Sequence, residues 1–411
     1  MGRAGGRLLE GGLYALLFLL PFSGAGVEIT FVVMLLGWNL ERLDPATRRS
    51  TLWLEPSARR LALALAIFLG ACALSIVTSD YPHMGVRALI KKWLEYVFFL
   101  VIAADAVRRP GVLSRAIVVL GCSSALVLVE GLTQELAGRG VFRRHELTYH
   151  RMSGPYLNPI DLATYLIVVI PIALAAALGA RRGAARAAWW TLLVALAAAL
   201  GRTESVGAWI GLGAALLVLV VLHPGVRRYG LIAMLVLLAA GSVSLVRAER
   251  FREAMSLSEI GKVDRWMMWQ AALGMIRDKP VTGHGLNTFM EKYLAYWVGG
   301  ERQPRYAHNC YLQMAAETGV IGLVSFLAVL GALFSRLVAA LRRLEDATRW
   351  QLLGLVGGLA AFAVQAALDT NFYSLRHAAL FWTLSGMAMG LAVTASGAKA
   401  GERRRTAGAA A

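Results

Sequence analysis

The apolar residues of this chain lie in uninterrupted blocks of roughly 16–22 residues, separated by short polar stretches that are rich in arginine. A helix needs about 20 residues to cross the hydrocarbon core of a bilayer, whereas a half-buried strand would alternate apolar and polar positions. Backbone groups in that core have no water to bond, so continuous blocks of this length are helical. The pattern predicts an all-α polytopic membrane protein.

The blocks predict about twelve transmembrane helices. The first two helices are short and closely spaced around Pro21 and Gly24, which fits a bent hairpin that barely spans the membrane. The predicted helices lie near residues 9–23, 25–40, 61–78, 88–106, 115–133, 160–179, 188–202, 205–222, 230–246, 310–335, 351–368 and 378–395.

Positive charge is divided unequally between the two sides of these helices. With the N-terminus inside, 23 of the 42 Lys and Arg residues fall in inside segments, nine in short outside segments and ten in the long segment 247–309. Only short segments report orientation under the positive-inside rule. Both termini are therefore predicted to be cytoplasmic, and the long segment extracytoplasmic.

This topology divides the chain into four parts. Residues 1–246 hold transmembrane helices one to nine, residues 247–309 form one large periplasmic loop with short helices, and residues 310–395 hold helices ten to twelve. Residues 396–411 form a small basic tail that is predicted to be disordered and cytoplasmic. The long loop is thus the only sizeable polar element of the predicted architecture.

The long loop contains a predicted amphipathic helix between residues 264 and 277. Pro280 ends this helix, and the Gly-rich run Thr282–Gly285 supplies a turn. Apolar residues recur at helical spacing along it, namely Trp266, Trp269, Leu273 and Ile276.

Composition narrows the function classes. The chain is 58% hydrophobic and 16% charged, and its net charge of +17 borders predicted membrane helices, so we expect membrane lipids and no nucleic acid as partners. Its three cysteines show no metal-ligand spacing, and the predicted outer loops carry no Asp-x-Asp or Glu-x-Asp pair. We therefore expect no metal and no cofactor. The lack of a Gly-rich nucleotide motif on the predicted cytoplasmic side disfavours a nucleotide-linked substrate.

His308 is the sharpest chemical feature. It lies with Asn309 at the predicted outer start of helix ten, and Gly319 and Gly322 follow within that helix. A histidine there can accept a proton near neutral pH, and glycines allow another helix to approach closely. Alternatively, His308 is an interfacial residue packed on aromatic side chains. The spacing alone leaves these two interpretations open.

Several segments together resemble the O-antigen ligase and O-antigen polymerase superfamily. They are Asp264–Trp266, Pro280–Phe289, His308–Gln313, Glu317–Gly322 and, less closely, Ser153–Pro159. The helix count and the place of the long outer loop extend the resemblance over most of the chain. The combination of segments is specific for the superfamily. It distinguishes a ligase from a polymerase much less well.

The resemblance implies an inverting, metal-independent transfer of a glycan from undecaprenyl diphosphate at the periplasmic face of the inner membrane. The acceptor hydroxyl belongs to lipid A-core in a ligase, or to another lipid-linked glycan in a polymerase. The catalytic histidine of the family falls on His308, and its loop arginine falls on Arg265. An arginine fork suits the donor diphosphate because it binds phosphate oxygens bidentately and stays charged.

A second arginine of the family is replaced here. Its context falls on Ser205–Trp209, where Val206 occupies the arginine position. Arg202 lies four residues earlier, which is about one helical turn, so it is our candidate for the second diphosphate ligand. The alternative is that the chain lacks this ligand and is altered in activity.

Further candidate substrate contacts each have a structural alternative. Arg143 and Arg144 are candidates, or parts of a solvated basic loop. Lys91 and Lys92 either reach a diphosphate or extend to lipid headgroups. The remaining candidates are Asn309, His284, which otherwise only shapes a turn, and Glu317, which otherwise pairs with an arginine inside the bundle.

The preferred function is that of an O-antigen ligase-like glycosyltransferase. A polymerase is the first alternative, and the single large outer loop favours ligase only slightly. A transporter of lipid-linked glycans would suit the helix count, but it should place charges near the bilayer midplane in paired halves. A non-catalytic assembly protein is the third alternative, and Val206 is its main support.

Overall fold

The computed structural model describes residues 2–45, 51–147, 150–223, 260–297 and 306–409. The predicted ninth helix, residues 230–246, lies outside the described residues. Within them the chain is helical with connecting loops, no β-strand is present, and an isolated bridge joins Arg139 and Glu146. The prediction of an all-α fold is confirmed for this part of the chain.

The described residues form fourteen α-helices and one π-helical stretch. In chain order they are α1 Gly2–Leu19, α2 Gly24–Leu43, α3 Arg59–Val77, α4 Pro82–Ala88, a π-helical stretch Leu89–Leu94, α5 Glu95–Val107, α6 Val112–Ala137, α7 Pro159–Gly179, α8 Gly183–Thr203, α9 Val206–Leu222, α10 Ile260–Asp278, α11 Phe289–Lys292, α12 Cys310–Leu341, α13 Asp346–Gln365 and α14 Leu375–Ala409. Four short 3₁₀ helices occupy Leu52–Leu54, Pro56–Ala58, Tyr293–Tyr296 and Asn371–Tyr373.

Eight helices of the described residues are long and apolar enough to cross a membrane: Gly24–Leu43, Pro56–Val77, Val112–Ala137, Pro159–Gly179, Gly183–Thr203, Cys310–Leu341, Asp346–Gln365 and Leu375–Ala395. The predicted count of about twelve is therefore not confirmed. Helix α1 carries Arg3, Arg7 and Glu10, and α9 is shorter than a full span. The predicted fourth span is divided between α4, the π-helical stretch and α5.

Two helices form the centre of the bundle. In the 18-residue apolar segment of each helix, the buried share is 83% in α7 and 83% in α14, against 28% in α2 and 17% in α8. Helix α14 also runs beside α5, with Gly386 next to Leu100 and Gly390 next to Ala104, so these two helices are parallel. Helix α14 continues to Ala409, and the disorder of residues 396–411 stays a prediction.

One end of the bundle is held by ion pairs. Arg42 lies 2.5 Å from Asp105, and Arg109 lies 2.5 Å from Glu41. Arg115 bonds Glu10 at 2.6 Å. These are arginines that the charge count assigned to the inside, and each joins helix ends that come from distant parts of the chain. Because their guanidinium groups are paired with carboxylates of other helices, we interpret these arginines as structural residues.

The opposite end is shaped by a break in α12. Gly319 has φ 67° and ψ −172°, a conformation that essentially only glycine adopts. The loop after α10 bonds the backbone around the break, from Val320 N to Pro280 O at 2.8 Å and from His284 N to Ala316 O at 3.0 Å. A Cβ on Gly319 would lie 2.1 Å from the carbonyl oxygen of Val281. Gly319 therefore allows the loop after α10 to approach closely, whereas the sequence predicted the close approach of another helix.

Helix α10 confirms the predicted amphipathic helix but only part of the face that it buries. Ala271, Ala272 and Met275 are buried in a small core with residues of the short helices that follow, and Ile276 of the predicted face packs against this core. Trp266 is 55% exposed and Leu273 is 38% exposed, so they point away from this small core. The helix ends at Asp278, two residues before Pro280, as the sequence predicted.

Candidate functional site

A histidine and a carboxylate meet at the end of the bundle opposite the ion pairs. His308 Nδ1 lies 3.2 Å from Asp369 Oδ1, and the two side chains are 30% and 11% exposed. Because the pair uses Nδ1, Nε2 is the ring nitrogen that remains for chemistry. The nearby end of α14 begins at Leu375, whereas its later residues run towards the ion-paired end.

Local backbone features fix this pair. His308 has φ 48°, and the Asn309 side chain then caps α12 by accepting hydrogen bonds from Tyr311 N and Leu312 N at 3.0 Å. The amide of Cys310 donates to Ala366 O at 2.8 Å and to Asp369 O at 3.2 Å. The loop after α13 is thus tied to the start of α12, which sets the position of the Asp369 carboxylate.

The electrostatics of Asp369 favour its ionised form. Burial would raise the pKa of this carboxyl, but the hydrogen bond and the charge of His308 outweigh burial and hold the pKa below its usual range. An ionised acceptor on Nδ1 orients the imidazole and stabilises the imidazolium that forms when Nε2 takes a proton. The arrangement is that of a general base with its orienting carboxylate.

Arg265 lies on α10, at the same end of the molecule. Its side chain is exposed, and one helical turn later Trp269 donates from Nε1 to the carbonyl oxygen of Ala307 at 3.0 Å. Ala307 directly precedes His308. The helix that carries the predicted loop arginine is therefore hydrogen-bonded to the segment that carries the predicted base.

Arg202 occupies a different environment. It bonds both oxygens of Glu135, at 3.0 Å from Nε and 2.8 Å from Nη2, and it is 51% exposed. Val206 begins α9, and a Cβ on the next residue, Gly207, would lie 3.3 Å from Leu368. The start of α9 thus packs on the loop of Asp369, while Arg202 is held by a carboxylate of α6.

Two adjacent lysines take different positions. Lys91 is exposed, whereas Lys92 is half-buried and donates from Nζ to Asn287 Oδ1 at 2.8 Å. Both lie in the π-helical stretch before α5. The structure therefore separates two residues that the sequence could not distinguish.

The loop after α6 keeps its arginines at the surface. Arg143 and Arg144 are exposed, and the buried Glu130 carboxylate accepts hydrogen bonds from Phe142 N and Arg143 N, both at 2.8 Å. Glu130 therefore fixes the backbone of this loop. No contact of the described residues joins the two guanidinium groups to the His308 pair.

Glu317 is a fully buried connector. Its carboxylate accepts from Asn287 N at 2.9 Å, from Gln313 Nε2 at 3.0 Å and from Tyr373 OH at 3.2 Å. These donors come from three separate parts of the chain. Among the described residues its partners are not arginines, so the predicted arginine pair is not what this carboxylate forms.

His284 is buried in the small core beneath α10. It is 2% exposed, and its Nε2 lies 3.1 Å from Met275 O. Burial lowers the pKa of His284 below its usual 6.5, because the charged ring would lose hydration. The contacts of this histidine are those of a residue that positions the Gly-rich turn.

The His284 environment predicts a pH effect on stability. In the unfolded chain His284 takes up a proton near pH 6.5, whereas in the folded chain it does so only at a lower pH. The free energy of unfolding therefore decreases as the pH falls below about 6.5. We expect the melting temperature of the wild type to fall more between pH 7.5 and 5.5 than that of His284→Gln, which keeps a donor towards Met275. Equal pH dependence in both proteins would contradict this assignment.

Asp369 is the candidate site residue that sequence reasoning missed. It directly follows the predicted eleventh helix, so an acidic residue at that outer helix end was the available signal. Nothing in the spacing joined it to His308, which lies 61 positions earlier. Within the described residues, no group of three or more His, Cys, Asp or Glu side chains is arranged to hold a metal ion.

Long apolar helices, with a histidine–carboxylate pair and the exposed Arg265 at one end, define a membrane protein with a polar site at one surface. Residues 190–327 match the family model described as O-antigen ligase, and the match supports membership of the chain in the O-antigen ligase-like superfamily. The matched segment includes Arg202, Arg265 and His308, in agreement with the motifs that carry the resemblance. Among curated proteins, none matches the chain.

Proposed function

We propose that this protein is an inverting, metal-independent glycosyltransferase that moves a glycan from undecaprenyl diphosphate to an acceptor hydroxyl, most favourably on lipid A-core. The His308–Asp369 pair carries the proposal, because it supplies a base with a fixed orientation. The match to the O-antigen ligase family supports a lipid-linked glycan and an acceptor as the partners in general.

The reaction needs one proton transfer and one leaving group. His308 Nε2 takes the proton of the acceptor hydroxyl while the hydroxyl oxygen attacks C1 of the donor sugar. The bond from C1 to the phosphate oxygen breaks on the opposite face, and undecaprenyl diphosphate leaves with the electron pair. Asp369 stabilises the imidazolium, and Arg265 stabilises charge on the diphosphate. This order inverts the configuration at C1.

We assign the site to the periplasmic face of the bacterial inner membrane, with both termini in the cytoplasm. The arginines that the charge count places inside gather in the ion pairs at one end of the bundle. The His308 pair lies at the other end. The positive-inside rule therefore favours an extracytoplasmic site.

The acceptor decides between ligase and polymerase. Purified full-length protein should be incubated with undecaprenyl-diphosphate glycan, with lipid A-core or with no added acceptor. We expect a glycosylated lipid A-core product. A ladder of longer lipid-linked glycans would identify a polymerase instead. The absence of product in both incubations would contradict glycan transfer.

Arg202 provides a test of the replaced arginine. If Arg202 serves the donor in place of the family's arginine, Arg202→Ala should lower the transfer rate by about 10-fold or more, the effect of losing a charge-assisted hydrogen bond. The double variant Arg202→Ala, Val206→Arg should recover much of that loss, because it places a guanidinium at the start of α9. Arg143→Ala is the matched control.

A wild-type transfer rate in Arg202→Ala would end the idea of compensation without affecting the family assignment. The Glu135 partner then explains Arg202 fully, as an exposed structural ion pair.

A further inference from the structure

The helix that leads into α5 contains a π-helical stretch, Leu89–Leu94. Such stretches insert an extra residue into a helical turn and are frequent at functional sites. Here the stretch contains Lys91 and Lys92, of which Lys91 is exposed and Lys92 is half-buried. The local widening thus gives two neighbouring lysines different surroundings.

Lys92 is held by a built polar network. Its Nζ donates to the side-chain oxygen Oδ1 of Asn287 at 2.8 Å, and the backbone N–H of Asn287 donates to Glu317 Oε2 at 2.9 Å. Burial lowers the pKa of the Lys92 ammonium, and the charge of Glu317 opposes this effect only in part. A half-buried cation needs such a counter-charge to remain ionised. An ammonium group has three N–H donors, and Asn287 uses one of them.

The network is continuous with the candidate active site. Glu317 lies seven residues after Cys310, which is about 10 Å along the helix axis. Tyr373 donates to Glu317 Oε2 at 3.2 Å and lies four residues after Asp369. The ring of Tyr306, two residues before His308, lies 6.3 Å from the ring of Tyr373. Contacts from Tyr306 through Tyr373 and Glu317 to Asn287 and Lys92 therefore begin two residues before His308 in the chain.

We propose that Lys92 binds the diphosphate of the polyprenyl donor, as a cation additional to Arg265. This proposal rests on the proposed function. With the sugar C1 beside His308, we place the diphosphate on the side of Tyr306 and Tyr373, towards the Lys92 ammonium. Lysine binds phosphate as a point charge, and Asn287 holds the ammonium in place when no donor is bound. Lys91 faces outward and contributes nothing to donor binding.

The test is binding of undecaprenyl diphosphate without a glycan to the purified full-length protein. Lys92→Met should weaken binding by about 10- to 100-fold, the effect of losing a charge-assisted hydrogen bond to phosphate. Lys91→Met, the matched control, should change the Kd by less than about twofold. Lys92→Arg should retain most of the affinity. Equal Kd values for wild type and Lys92→Met, or equal losses in both lysine variants, would overturn the proposal.

A second measurement uses the wild type, in case Lys92→Met does not fold. Acetylation of each lysine by an amine-reactive reagent is followed by mass spectrometry, with and without undecaprenyl diphosphate. We expect the lipid to slow acetylation of Lys92 and leave that of Lys91 unchanged. No protection of Lys92, or equal protection of both, would contradict the proposal.

Binding and transfer separate the two proposals. Protection of Lys92 without glycan transfer to any acceptor would retain the diphosphate site and remove the proposed reaction. Glycan transfer together with undiminished binding in Lys92→Met would retain the reaction and remove the role of Lys92.

Discussion

Replacing His308 with alanine should lower the rate of glycan transfer by about 10²–10⁴-fold, the usual contribution of a positioned general base. The acceptor hydroxyl then has no group to take its proton as it attacks C1. The melting temperature should stay close to that of the wild type, because the His308 ring is partly exposed and the cap of α12 comes from Asn309. Single-turnover transfer by the purified variant is the measurement.

His83 offers a matched control for this experiment. It is an exposed histidine near the start of α4, so His83→Ala should transfer at the wild-type rate. Asp369→Asn should reduce the rate less than His308→Ala, and the double variant should be no slower than His308→Ala alone, because Asp369 acts through His308. Near wild-type transfer by His308→Ala would remove His308 as the base.

Replacing Arg265 with alanine should lower kcat by about 10²–10³-fold, the effect of removing one preorganised group that stabilises developing charge. Negative charge grows on the diphosphate as its bond to C1 breaks, so the loss should be larger in kcat than in donor affinity. Arg265→Lys should recover part of the rate, since it keeps the charge but not the bidentate fork. Transfer rates at saturating donor measure both variants.

Arg277 is the matched control on the same helix. It is also exposed and lies twelve residues later on α10, beyond the turn that bonds Ala307. Arg277→Ala should transfer at the wild-type rate. Equal losses in both variants would mean that general positive charge on α10, rather than Arg265 itself, supports the reaction.

Much of the fold was accessible from the sequence because hydropathy is a local property. The predicted helices at 115–133 and 160–179 fall inside α6 and α7, and the predicted amphipathic helix falls inside α10. Pro280 marked the end of α10 for the same reason, since proline acts on its own backbone and on its neighbour. Continuous apolar length predicts α6 and α7, and apolar residues at helical spacing predict α10. Neither signal depends on tertiary contacts.

The span count and the buried faces were less accessible. The predicted helix at 88–106 contains the π-helical stretch, which hydropathy does not detect. In α10, Trp266 and Leu273 are apolar yet exposed, because the small residues Ala271 and Ala272 allow the closer packing. Which apolar face is buried depends on the shape of the partner, and periodicity alone does not contain that shape.

The candidate site divides in the same way. The sequence by itself predicted His308 and Arg265 as site residues through their motifs, and a long outer loop through its polarity, and these stay predictions. Only the tertiary structure brought Asp369 to His308, separated Lys92 from Lys91 and engaged Arg202 with Glu135. These contacts join residues 61 to 195 positions apart. Local pattern determines helices, whereas packing between distant segments determines which polar groups meet.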